Sequence, residues 1–120
     1  EMGTKMPTVL SPYAYISKHT KVHEGTIVMH GAIINAGSSI GGNCIINTQA
    51  LIEHDVVVES HSHISTGAIV NGGAFIGKES FVGSGTVIHE GVQIGEKCVI
   101  AAGSIIRKDL PSGTFYLSAA

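Results

Sequence analysis

From Ile16 to Ile106 every sixth residue is Ile or Val, sixteen in succession without an exception. Two places before each stands a small or short side chain, such as Ala14, Thr26, Cys44, Ala68 or Ser104. Three places after, eight of the sixteen positions are Gly, and Asn43, Asp55 and Asp109 fill three more. Gly, Asn and Asp tolerate a left-handed backbone at a corner. Each hexad therefore predicts a short strand and a turn. The aliphatic residue and the one two before it point inward, and the residue between them points outward. Three hexads close a triangular coil of 18 residues, and coils stack about 4.8 Å apart. The pattern predicts an all-β chain, a parallel β-helix of about five coils over residues 14–109 with no inserted loop. Residues 1–13 form a lead-in segment and 110–120 a tail. Pro7, Pro12 and Pro111 lie outside the ladder, where they interrupt no pairing. The period does not fix the hand of the coil.

The outward residues sort into three faces. Tyr15, Ile33, Leu51, Ile69, Val87 and Ile105 make one face wholly apolar or aromatic. Lys21, Ser39, Val57, Phe75 and Gln93 make a mixed second face, expected to meet solvent. Ile27, Ile45, His63, Phe81 and Val99 make the third. Two long apolar stripes exceed what a lone soluble protein exposes. They predict a homo-oligomer packed side by side, most simply a homotrimer. A partner domain lying over one stripe is the alternative.

Composition narrows the function. The 120 residues suit one domain. A net charge of −2, with 13% charged residues and no basic block, argues against nucleic acid. No apolar run approaches the roughly 18 residues of a membrane helix, and no signal peptide is visible, so a cytoplasmic protein is expected. The start at Glu1 suggests a piece of a longer polypeptide. Cys44 and Cys98 both point inward, three coils and about 14 Å apart, too far for a disulfide. They read as small core residues.

Candidate chemistry concentrates in "LIEHDVVVESHSHIS", residues 51–65. His54 lies at the corner after the apolar face, His61 at the corner after the mixed face, and His63 points out of the third face. His54 and His63 are separated within one chain by the whole mixed face, so they cannot share an ion there. In a side-by-side ring His54 of one chain meets His63 of the next, which places a site between subunits. Gly72 lies 18 residues beyond His54, one coil above it at the same corner, and bares backbone N–H. Asn47 sits one coil below His63 on the same face. A base, a fixed donor and two polar groups beside a groove suit attack on a thioester. Asp55 is either a turn residue or the partner that orients His54. Glu53 reads as solvated, as do the corner histidines His19, His23, His30 and His89.

"NTQALIEHDVVVESHSHIS", continued by "GEKCVIAAGSIIRKDLPSGTF", resembles the hexapeptide-repeat acyltransferases. The similar subgroup contains bacterial sialic-acid O-acetyltransferases and UDP-4-amino-sugar N-acetyltransferases of surface-glycan pathways. The resemblance implies a left-handed helix and acetyl-CoA as co-substrate. It implies His54 as general base, Asp55 raising its basicity, and His63 and a Gly72 backbone group at the thioester. Ser84 and Ala102 match positions along the pantetheine, and Arg107 and Lys108 fall where coenzyme phosphates would come. Asn47 is expected to touch the sugar acceptor. Members usually carry an N-terminal Rossmann-like domain for the sugar nucleotide. This chain looks like the acyltransferase half alone, and its tail "GTFYLSAA" departs from the usual Gly-Val-Pro ending.

Two other readings remain. A zinc hydro-lyase of the γ-carbonic-anhydrase type shares this solenoid and needs three histidines, the second about 35 residues after the first and the third five later. His19 with His54, or His54 with His89, meets the first interval, but the third position falls on Glu59 or Ile94. No metal is therefore expected. A non-catalytic solenoid, a scaffold or binding fragment, is the other. The sequence leaves oxygen or nitrogen acetylation open.

Overall fold

A computed structural model describes residues 6–117. Eighteen strands, β1 to β18 in chain order, have two residues each. They form three parallel sheets, one per side of a triangular left-handed β-helix of about six turns. The first sheet is the apolar face: β2 (Tyr15–Ile16), β5 (Ile33–Ile34), β8 (Leu51–Ile52), β11 (Ile69–Val70), β14 (Val87–Ile88) and β17 (Ile105–Ile106). The second is the mixed face: β3 (Lys21–Val22), β6 (Ser39–Ile40), β9 (Val57–Val58), β12 (Phe75–Ile76) and β15 (Gln93–Ile94). The third holds β1 (Val9–Leu10), β4 (Ile27–Val28), β7 (Ile45–Ile46), β10 (His63–Ile64), β13 (Phe81–Val82), β16 (Val99–Ile100) and β18 (Phe115–Tyr116). Register is 18 residues between neighbouring strands except β16 and β18, so His63 pairs with Ile45 below and Phe81 above.

The hexad run accounts for the five coils expected, and β1 and β18 extend the stack. Inward pointing follows the alternation: Ile34, Ile40, Ile46, Ile52, Ile64, Ile76, Ile88 and Ile94 are fully buried. Hydroxyls at the other inward position add a polar seam. Ser62 Oγ donates to the Gly77 carbonyl and accepts from the Ser80 N–H, and Ser80 Oγ repeats this with Gly95 and Cys98. Thr26, Ser38, Ser62 and Ser80 thus each satisfy a carbonyl and an amide of the next coil, removing a desolvation cost of about 1–3 kcal/mol per group. Cys44 and Cys98 are free and buried as core residues, and burial pushes the Cys44 thiol pKa up.

Every corner position from Gly25 to Gly103 has positive φ, including Asn43, Gln49, Asp55, His61, Glu79 and Lys97. Gln49, Glu79 and Lys97 are not residue types that seek this region. The closed coil imposes it, at a cost of roughly 1–2 kcal/mol per residue. His19, at the first corner, and Asp109, at the last, fall outside this set. Leu110 pairs with Ile94 and Phe115 with Val99, both 16 residues apart, so the last coil is two residues short. Asp109 is not in the left-handed set; its Oδ1 instead accepts from the Gln93 N–H at 2.8 Å. The left-handed corner returns at Gly113.

Candidate active site

His54 stands at the corner between the first and second sheets, two residues past β8. Its Nδ1 lies 3.2 Å from Asp55 Oδ2. A carboxylate only accepts, so the imidazole proton sits on Nδ1 and the lone pair is on Nε2. Asp55 reaches back because its own φ is 58°, a left-handed kink that turns its side chain along the corner. Two glycines frame the pair. A Cβ on Gly37, one coil below, would collide with Asp55 Oδ1. A Cβ on Gly72, one coil above, would lie 2.7 Å from His54 Cε1 and Nε2. The ring therefore lies over bare backbone. The next amide, that of Gly73, is bonded to the His54 carbonyl at 3.0 Å, while no protein acceptor engages the Gly72 N–H among the described residues. His54 and Asp55 side chains are 67% and 70% exposed in the single chain.

The ring opens into a groove of about 450 Å³ lined by Glu53, His54, Asn71, Gly72, His89 and Glu90. Glu53 is half-buried rather than solvated, and its Oε1 accepts from Asn35 Nδ2 at 3.0 Å. Asn71 Nδ2 donates to the Ile88 carbonyl at 2.9 Å. Asn35, Glu53, Asn71 and His89 form one column at 18-residue intervals, a spacing visible in the sequence. Reading single histidines rather than columns hid the part of His89 in this groove.

On the third sheet His63 packs edge-on against Phe81, ring centroids 5.1 Å apart. Asn47 Nδ2 lies 3.4 Å from His63 Nε2. Burial pushes the His63 pKa below its ordinary value. Higher on the following corner, Ser84 Oγ is 2.9 Å from Ser65 Oγ, and Ala102 is exposed one coil above Ser84. The chain thus makes two separate sets. His54, Asp55 and Gly72 converge at one corner. His63 and Asn47 converge on the third sheet, with Ser84 and Ala102 beyond them. His54 and His63 share no hydrogen bond within one chain. Arg107 and Lys108 are exposed on the His54 corner, three coils higher.

A larger hollow of about 990 Å³ covers the corner between the second and third sheets, with His23, Glu24, Glu59, His61 and Lys78 in its lining. Size alone does not make it the reactive centre. Among the described residues the imidazole–carboxylate hydrogen bond is at His54. No three His, Cys, Asp or Glu side chains converge as metal ligands among the described residues.

Residues 73–108 match the family model described as bacterial transferase hexapeptide (six repeats). The acetyltransferase domain of PglB from Neisseria gonorrhoeae FA1090 is 34% identical, with a TM-score of 0.92 over 93% of this chain and 55% of that one. The same domain in complex with acetyl coenzyme A is 34% identical, TM-score 0.91, over 92% of this chain and 54% of that one. A mutant of perosamine N-acetyltransferase from Caulobacter crescentus, solved with CoA and GDP-perosamine, is 33% identical, TM-score 0.91, over 92% and 53%. The chain spans about half the length of these structures. Repeat, coil and similarity over nearly the whole of this chain agree: the chain is a hexapeptide-repeat left-handed β-helix, similar to the acetyltransferase domain of PglB and to perosamine N-acetyltransferase.

Proposed function

We propose that the chain is the acyl-transfer part of an acetyltransferase that moves an acetyl group from acetyl-CoA to an amine or hydroxyl of a sugar or nucleotide sugar. The observation that carries this reading is the His54–Asp55 pair seated beneath Gly72. Asp55 holds the Nδ1 proton, so Nε2 is free to take the proton of the attacking nucleophile. As the new acetyl–nitrogen or acetyl–oxygen bond forms, the Gly72 N–H donates to the thioester oxygen that gains charge. The carbon–sulfur bond then breaks, and the imidazolium returns its proton to the departing thiolate. Transfer is direct, with no acyl-enzyme. The two cysteines are buried in the core and supply no nucleophile.

His54 is open on one side, and the first and third sheets carry apolar stripes. Both features support a homotrimer in which the His54 corner of one chain lies beside His63 of the next. In that seam Ser84, Ala102 and the Arg107–Lys108 pair follow the coenzyme. The similarity to proteins solved with acetyl coenzyme A, and with CoA and GDP-perosamine, supports both the donor and the acceptor class.

The test is thiol release from acetyl-CoA in the presence of amino sugars, sialic acids and their nucleotide forms. It is run on this chain and on a longer one carrying an N-terminal domain. Acceptor-dependent release that His54→Ala abolishes is expected. Release that ignores every acceptor, or that survives His54→Ala, removes the proposal.

A further inference from the structure

Asn47 and His63 lie on adjacent coils of the third sheet, and their hydrogen bonding determines which ring nitrogen carries the proton. The Thr48 backbone N–H, which can only donate, is 2.7 Å from Asn47 Oδ1. That contact orients the amide, so its NH2 end faces His63 Nε2 at 3.4 Å. An amide nitrogen donates and offers no lone pair, so His63 Nε2 accepts and is bare. Burial keeps the ring neutral near pH 7. A neutral ring with a bare Nε2 holds its proton on Nδ1. No protein group among the described residues accepts that proton.

We infer that Asn47 is a positioning residue that fixes His63 as the Nδ1–H tautomer, a neutral donor for a carbonyl oxygen of the acyl donor. The ligand half of this inference rests on the acetyl-transfer reading above. Asn47 keeps a second N–H and a second lone pair on its oxygen, so this role stands beside the acceptor contact expected of it. The two imidazoles now divide the work. Both carry the proton on Nδ1. Asp55 occupies that proton on His54 and leaves a base, whereas Asn47 occupies the opposite nitrogen of His63 and leaves a donor. A donor that stays neutral can stabilise a developing oxyanion without competing with His54 for the nucleophile's proton.

The experiment is a two-bond proton–nitrogen correlation spectrum of the histidine rings at pH 7.5, with His63 assigned through His63→Gln. An Nδ1-protonated pattern for His63 is expected. Asn47→Asp presents only acceptors, so it should convert His63 to the Nε2–H pattern and weaken acetyl-CoA binding on the order of tenfold. Asn47→Ala, which adds no charge, should give a mixture of the two patterns. An Nε2–H pattern in the native protein, or no change on Asn47→Asp, overturns the inference. Titration with acetyl-CoA and then CoA separates the thioester carbonyl from the pantetheine amide: a His63 shift with acetyl-CoA alone assigns the thioester, and a shift with both assigns the amide. If acetyl-CoA moves His54 signals but not those of His63, the ligand half is wrong. If it moves neither, the acetyl-transfer reading itself has failed, and the tautomer result stands apart from it.

Discussion

The His54 imidazole occupies the space that a side chain on Gly72 would need: a Cβ there would lie 2.7 Å from the ring. Gly72 has no positive φ, so its bareness serves the ring and not the backbone. Gly72→Ala should displace His54 and lower turnover on the order of 10²-fold, the cost of a misplaced reacting group. Stability should change by less than about 1 kcal/mol. Gly73→Ala is the converse. Its φ is +71° with nothing within 4 Å, so it should cost about 1 kcal/mol of stability and leave His54 in place. Thiol-release rates and urea midpoints for the pair check this.

Removing the proposed base and removing its proposed orienter should differ. His54→Ala should reduce turnover on the order of 10²–10⁴-fold while coenzyme binding and assembly persist. Asp55→Asn frees the ring to rotate and to change tautomer. It should lower kcat with little change in KM for acetyl-CoA, which steady-state kinetics resolves.

The ring of His63 should titrate with a midpoint below 6.5, because burial penalises its charged form. The folded state therefore holds its proton less tightly than the unfolded chain does. Stability from this group is complete above pH 6.5 and is lost as pH falls through the folded value. Urea midpoints at pH 7.5 and 5.5 should drop more for the native protein than for His63→Gln.

Assembly is tested on the first sheet. Leu51→Glu or Ile69→Glu places a charge within the apolar stripe and should reduce the sedimentation coefficient to that of a single chain. Ser39→Glu, on the mixed second sheet, should leave it unchanged. Equal behaviour of all three would remove the first sheet from the interface.

The period of six let the sequence assign direction to Ile52, Ile64 and His63, because a closed coil admits one inward set. It also located Gly72 over His54, since stacking turns an 18-residue interval into vertical neighbourhood. It missed the shortened coil at Leu110, where loss of two residues shifts the phase without disturbing any earlier hexad. It missed Glu53 accepting from Asn35 and Gly37 accommodating Asp55, although both follow from the interval that found Gly72. The tautomer of His63 lay beyond reach, because it depends on an amide orientation set by the Thr48 N–H. For His54 and His63 the hexads say which side each residue faces, because direction is a property of the coil and neighbourhood across faces is a property of an assembly.

The 16-residue step from Val99 to Phe115 has a consequence for how molecules meet end to end. A solenoid of constant period presents, at its tip, three unpaired strand edges in phase, an open template on which another copy could continue the spiral into a filament. Between Val99 and Phe115 the period is two residues short at a single corner, so an edge that follows the lower coils in 18-residue steps is out of phase with the edge at Phe115–Tyr116.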